Sequence, residues 1–291
     1  MNSFTSPLAH DRGFSLQKFG YIESYNLDIE PIFDILTKGH CDGKILYVIR
    51  DGVPKSITQK STLAFDKELL KSGNSRTNDG YVKNHQIGAT QFAKSGKEYS
   101  DSVAHLHASS SSLFAHLEHD EIDILFQQSF LEHGLMKKGI HFGPARFKNA
   151  WPSFATFRRW LDNGKMSLWP HEDQAQLAFA RNDNYEIHCG SRVIAYNACL
   201  ESSGAGGELR IWNLLPYESF RTFLGLGDTG YPYPLEQIEG IEQLSVKLEA
   251  GDLYFLNASF LHGVSSVHGG QRLTAGRFMT PISTSKIVFW T

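Results

Sequence analysis

The sequence predicts an α+β fold, with a helix-rich N-terminal half supporting an antiparallel sandwich or jelly roll. Three observations predict it. The first half reads as mixed and helix-rich, with apolar residues at helical spacing over 60–73 and 100–135. After about residue 150 they condense into runs of five to eight residues. Glycine-rich turns such as "SSGAGGE" and "EAGD" separate those runs, a spacing that suits antiparallel strands and not βαβ units.

The elements follow in chain order. "KILYVIRDGVP" (44–54) reads as a strand entering a turn, and "KSTLAFDKELLKSG" (60–73) as a helix ending at Gly73. Between 100 and 135, Val103, Leu106, Leu113, Leu117, Ile124, Leu125 and Phe126 mark a helical region with at least one break. The strands of the second half are "VIAYNACL" (193–200), "ELRIWNL" (208–214), "LSVKLEA" (244–250), "DLYFLN" (252–257) and "LTAGRFMTPI" (273–282). Residues 215–243, polar and rich in glycine and proline, read as a long surface insertion of the kind that forms lids. The chain is expected to form a single domain over 1–291, in which 1–150 is the supporting region and 151–291 the core. The later strands alone bring too few helices to cover their outer face.

Composition narrows the class. With 41% hydrophobic and 12% aromatic residues, the chain can bury a core. A formal charge of −3, with no lysine/arginine run longer than a pair, argues against a nucleic-acid groove or a polybasic membrane contact. Cys41, Cys189 and Cys199 show no CxxC spacing and read as reduced thiols, Cys189 and Cys199 as buried ones. There is no apolar run of bilayer length, and "MNSFTSPLAHDRGF" does not look like a signal peptide. A cytoplasmic protein is expected; its oligomeric state is left open.

Thirteen histidines offer more ligands than any site needs, so patterns must select among them. His262 follows a strand, and Arg272 and Thr274, two apart, face one side of the next. Pairing of these two strands would gather an imidazole, a guanidinium and a hydroxyl in one cavity, a set that suits a metal and a dicarboxylate. Upstream, "WPHEDQAQ" supplies His171-Glu172-Asp173, and two histidines with one carboxylate form a facial metal-binding set that leaves positions open. Glu172 is out of phase with the ligands and is expected to face away.

Taken together, the His-x-Asp at His171 and Asp173, Gly206-Gly207-Glu208-Leu209, Gly251-Asp252 before the strand to His262, and Arg272-x-Thr274 resemble the Fe(II)/2-oxoglutarate-dependent oxygenases. Within that superfamily the chain is most similar to the bacterial branch of N-acyl amino acid hydroxylases and hapalindole-type halogenases. The likeness runs over roughly 165–291. It implies a double-stranded β-helix fold, with Fe(II), 2-oxoglutarate and O₂ as cofactor and co-substrates. It also implies His171, Asp173 and His262 as iron ligands, with Arg272 and Thr274 on the distal carboxylate of 2-oxoglutarate. The expected reaction is hydroxylation of an aliphatic C–H of a small molecule, an amino-acid derivative or natural-product intermediate, with release of succinate and CO₂. Asn197 and Trp212, on the strands flanking the Gly-Gly turn, are candidates to line the cavity and touch the co-substrate, or else ordinary strand residues.

Two rival functions stand beside this reading. Halogenases of the superfamily carry glycine or alanine in place of the carboxylate, and His188-Cys189-Gly190 would match; but His171 lies at the branch's distance upstream of Gly206-Gly207-Glu208, and His188 falls far short. The other rival is a jelly-roll binding protein without turnover. Of the remaining motifs, His116 and His119 read as one solvated helix face, "HLH" (105–107) is weaker, and "GLGDTG" (225–230) lacks a phosphate loop's strand–helix context.

Overall fold

Two facing sheets, with helices packed behind the larger one, organise the chain; the computed structural model describes residues 11–71, 84–162, 164–227 and 229–291. The large sheet runs Gly20–Ser24, Lys44–Ile49, Leu253–Asn257, Ile194–Glu201, Gln271–Ser283, Lys286–Trp290, His141–Pro144. Thr156–Leu161 pairs with the first half of Gln271–Ser283, and Asn84–Ile87 lies outside it. The small sheet is antiparallel throughout, in the order Gln243–Val246, Leu209–Trp212, His262–Val264, Leu168–His171. The N-terminal half therefore contributes strands to the main sheet as well as helices.

The apolar runs are continuous because the large sheet is buried on both faces. Along Ile194–Glu201, the side chains of Ile194, Tyr196, Ala198 and Leu200 meet the helices, while Ala195, Asn197 and Cys199 face the small sheet. The helix side is closed by Ile29–Lys38, Lys55–Lys71, His119–Phe126 and Gln128–Lys137, which supply Ile35, Phe65, Phe126 and Leu131. Burying each such side chain contributes about 2–3 kcal/mol.

Several expectations change. The region 100–135 resolves into three helices, Gly96–Phe114, His119–Phe126 and Gln128–Lys137, the first opened by a Ser95–Glu98 capping box. His116 sits in the first break and shares no helical face with His119. Gly73, the expected helix end, lies outside the described residues. Residues 215–243 are no structureless surface loop. They carry the helix Glu218–Phe223, and Phe220, Tyr233 and Ile238 pack with Trp212, Leu214 and Leu261 against the small sheet's outer face. Glycine and proline there shape a folded cover rather than an open loop. Finally, the His262 strand does not pair with the Arg272 strand; they belong to opposite sheets and meet across the cavity between them. Among the described residues no helix is long and apolar enough to cross a membrane.

Candidate active site

His171 ends one strand of the small sheet and His262 begins its neighbour, and the two are direct cross-strand partners. Gly263 permits this approach, since a Cβ there would stand 2.8 Å from the Leu168 carbonyl oxygen. The imidazole centroids are 4.1 Å apart. Each ring is aimed by its own strand: His171 Nδ1 lies 2.9 Å from the Trp169 carbonyl and His262 Nδ1 3.0 Å from that of Phe260. A carbonyl only accepts, so both Nδ1 atoms carry the proton and both Nε2 atoms keep a lone pair for the cavity.

Asp173 joins them just past the strand end, its backbone N–H donating to the Ala258 carbonyl at 2.9 Å. Its Oδ2 is 3.4 Å from His262 Nε2. Its Oδ1 accepts from Gln176 Nε2 at 2.7 Å, and Gln176 Oε1 in turn accepts from Trp290 Nε1 at 3.0 Å. One donor atom from each of His171, Asp173 and His262 lies within 4.8 Å of the others, and all three residues are buried. Burial, reinforced by His262, holds the His171 imidazole down at about 3, so it is neutral. Burial pushes the Asp173 carboxyl up, but its surroundings, with the two imidazoles and the Arg158 guanidinium beside it, outweigh this and hold it low. Two imidazole nitrogens and a carboxylate oxygen converging in a buried space suit a divalent metal, with oriented outer groups behind them.

The facing wall belongs to the large sheet. Arg272 and Thr274 line the same cavity, as do Asn197, Tyr254 and Arg158. Arg272 is 2% exposed, and its Nε and Nη2 have no hydrogen-bond partner. An orphaned guanidinium at that depth fits a carboxylate supplied from outside the chain. Asn197 reaches the cavity because Gly276 stands opposite it, where a Cβ would fall 2.0 Å from its Oδ1.

Other motif residues are structural. At Gly206 (φ 70°), a Cβ would come within 1.9 Å of the Ser266 carbonyl oxygen. Glu208 bonds through its carboxylate to the Ser265 hydroxyl, fixing the turn beside the His262 strand. Asp252 anchors Arg50 at 2.5 Å and caps the Glu249 N–H at 2.8 Å.

Trp212 and Cys189 depart from expectation, and the structure adds detail for His188 and Glu172. Trp212 points to the outer face of the small sheet and packs with Phe220 and Tyr233, so it does not line the cavity; period two sends Ile211 inward and Trp212 outward. His188 lies in a short 3₁₀ turn, Glu186–Cys189, with Nδ1 2.8 Å from the Tyr185 carbonyl. Gly190 abuts Thr280, which leaves His188-x-Gly190 outside the cavity. Cys189 is exposed, because that turn sits at the surface. Glu172 faces away from the cluster as expected, but it is buried and paired with Arg221 at 3.0 Å.

Sequence reasoning missed Gln176, Trp290, Arg158, Tyr254 and Tyr231, whose ring meets His171 edge-on at 5.9 Å. Gln176 carried a signal, one helical turn after Asp173; Arg158 carried another, on the cavity phase of "TFRRWL".

A scan of protein-family models finds none that matches. Among curated proteins, the chain is 47% identical over 281 residues to an L-isoleucine 3(1)-dioxygenase of Pantoea ananatis (strain AJ13355), covering 96% of this chain and 95% of the relative. The chain belongs to the Fe(II)/2-oxoglutarate-dependent oxygenases. Its fold is also that of a solved N-substituted L-amino acid dioxygenase from Burkholderia ambifaria AMMD, at TM-score 0.54 and 12% identity, covering 91% of this chain and 92% of that one. The oxygenase core is accordingly the double-stranded β-helix, flanked by helices. This oxygenase is a dioxygenase that uses iron and 2-oxoglutarate to hydroxylate a small molecule. A halogenase is not favoured, since a carboxylate, Asp173, completes the cluster.

Proposed function

We propose that this oxygenase hydroxylates an aliphatic C–H of a free small amino acid of the isoleucine type, in the cytoplasm, with His171, Asp173 and His262 holding Fe(II). The observation that carries the metal assignment is the convergence of three donor atoms within 4.8 Å, two of them imidazole Nε2 atoms with the Nδ1 protons engaged elsewhere. Arg272, buried with Nε and Nη2 unsatisfied, grips the distal carboxylate of 2-oxoglutarate, with the Thr274 hydroxyl beside it and Asn197 on the cavity wall. The substrate class is supported by the 47% identical Pantoea relative, named for L-isoleucine.

When bound, iron with O₂ supplies the oxidising chemistry, converting 2-oxoglutarate to succinate and CO₂ and placing one oxygen atom in the substrate C–H bond. The chain orients and shields. Gln176, steadied by Trp290, fixes the Asp173 carboxylate, and the Trp169 and Phe260 carbonyls fix the two rings. Leu168, Leu209, Leu256 and Val264 give the cavity apolar walls that exclude water. Glu172 pairs with Arg221 of Glu218–Phe223, and Tyr233 N–H donates to the Pro170 carbonyl at 2.8 Å, so the 215–243 cover is tied to the His171 strand.

The test is anaerobic addition of Fe(II) and then 2-oxoglutarate to wild type, Asp173→Ala and His188→Ala, recording the visible band of the chelate, followed by aerobic succinate release with L-isoleucine. A band in wild type and His188→Ala, weakened in Asp173→Ala, with isoleucine-dependent succinate, is expected. A band unaffected by loss of Asp173 would overturn the ligand assignment, and an absence of succinate with every small aliphatic amino acid would overturn the substrate.

A further inference from the structure

We propose that Glu172 and Arg221 are positioning residues, and that through their buried ion pair the 215–243 cover sets how tightly the His171–Asp173 turn holds its metal. This deepens the proposed function and rests on its ligand assignment.

Glu172 sits between two ligands but turns the other way. His171 and Asp173 line the cavity, whereas the Glu172 side chain is directed at the cover behind the small sheet. At 1% exposure its carboxylate must find donors within the protein. Arg221 Nη1 donates to Oε1 at 3.0 Å, and the Ala175 N–H donates to Oε2 at 3.1 Å. The main chain is held from the same side. Glu172 N–H donates to the Gly230 carbonyl at 3.1 Å and Tyr233 N–H to that of Pro170 at 2.8 Å, so the cover grips both neighbours of His171. Gly230, at φ 60°, allows this approach, since a Cβ there would stand 2.6 Å from the Glu172 carbonyl oxygen and 2.6 Å from Oε1.

The same carboxylate extends the grip to Asp173. The Ala175 N–H that Oε2 accepts begins the short helix Ala175–Ala180. Gln176 of that helix donates from its N–H to the Asp173 carbonyl at 3.1 Å and from Nε2 to Oδ1 at 2.7 Å. Displacing Glu172 therefore moves the Asp173 main chain together with the amide that aims its carboxylate. Outer hydrogen-bond partners of metal ligands typically change affinity about 10- to 100-fold when lost.

Stability alone gives no reason for ions here. The cover already packs Phe220, Tyr233 and Ile238 against Trp212, Leu214 and Leu261. Such packing holds the cover down without fixing its register, because apolar burial is not directional. A buried ion pair contributes no more than apolar residues of the same volume, and here Arg221 Nε is left without a hydrogen-bond partner. What the pair adds is direction, since a guanidinium meets a carboxylate in a narrow set of geometries. Behind the ligand turn, that direction is passed to the ligands.

The experiment uses Co(II) alone as the probe, on wild type, Arg221→Lys and the double variant Glu172→Met/Arg221→Met. Calorimetric affinity, the visible Co(II) spectrum and the melting temperature are recorded, with hydrogen exchange of metal-free and Co(II)-loaded wild type in parallel. The double variant removes both charges, so it should melt close to wild type yet bind Co(II) about 10-fold more weakly, with an altered spectrum. Arg221→Lys, which keeps the charge, should lose less. By reciprocity, Co(II) should slow exchange in the cover helix Glu218–Phe223 more than in Gln128–Lys137 behind the large sheet. A folded double variant that binds Co(II) within about twofold of wild type would make the pair merely structural and overturn the inference. So would a wild-type cover helix slowed no more than Gln128–Lys137, a result that stands whatever the variants do. A wild type that takes up no Co(II), and forms no visible band with Fe(II) and 2-oxoglutarate, would instead remove the proposed function itself.

Discussion

Arg272 and Arg277 lie on the same strand, each 2% exposed and each with Nε and one terminal nitrogen lacking a hydrogen-bond partner. They are separated by an odd number of residues and so face opposite sides of the sheet. Arg272 looks into the cavity between the sheets. Arg277 looks into the helix-side core, within 6 Å of the rings of Phe126, Phe142, Phe154, Tyr196 and Phe289, and donates to the Phe126 carbonyl at 3.2 Å. Burial holds the Arg277 guanidinium down to about 10, whereas aromatic faces lower the cost of keeping it charged. An unsatisfied buried arginine is thus not by itself a ligand site; what its face of the sheet meets decides.

The largest expected effect is on the metal side of the cavity. Asp173→Ala should reduce hydroxylation about 1000-fold or more, measured as isoleucine-dependent succinate release, whereas Arg277→Met should leave it within about twofold. If both variants lost activity alike, the two faces would not be functionally distinct.

Arg272→Met should raise KM for 2-oxoglutarate about 100-fold, equivalent to about 3 kcal/mol, without lowering the melting temperature, because it removes a buried charge that the unliganded chain does not pair. Steady-state kinetics and thermal melts together check this.

A third arginine sharpens the comparison. Arg221 is paired with the fully buried Glu172 carboxylate, and burial pushes that carboxyl up against the pull of the guanidinium. Arg221→Met should cost about 3 kcal/mol of stability, because it strands a buried acid and Arg272→Met strands none. Denaturant titration of the metal-free protein measures it.

The pH dependence of the metal-free protein should follow His171. Its folded value of about 3 lies below the ordinary 6.5, so the unfolded chain binds the extra proton between those values. Stability is therefore present above about pH 6.5 and lost as pH falls, by about 2 kcal/mol between pH 7 and pH 5. His171→Asn should flatten that slope in chelator-treated samples, while Arg277→Met should leave it intact.

The smallest effect belongs to Arg277→Met itself. An apolar side chain of similar length replaces a caged cation, and stability should change by less than about 1 kcal/mol in denaturant titration. A loss of several kcal/mol would mean that the aromatic cage stabilises the cation beyond what burial costs.

Much of this was legible in the residues. The strand runs at 193–200, 208–214, 252–257 and 273–282 correspond to strands in the structure, and His171, Asp173, His262, Arg272, Thr274 and Asn197 meet in one cavity. Trp212 and the 215–243 cover were not legible. Alternation says that Trp212 and Ile211 oppose one another, without saying which side is inner, and the cover's apolar residues are too sparse to reveal that Phe220, Tyr233 and Ile238 converge. The expected pairing of the His262 and Arg272 strands failed for a related reason, since proximity in sequence suggested a hairpin where the chain crosses between sheets.

By itself, then, the sequence determined the period-two phase of each strand and the chemical kinds of donor that phase brings together, because side-chain alternation is local and backbone-imposed. Only the tertiary structure decided that Arg272 opens on a cavity and Arg277 on aromatic rings, and that Arg158 lines the same cavity while Arg159 meets two acids. Those outcomes depend on which distant segments pack against each face, and no local periodicity carries that information.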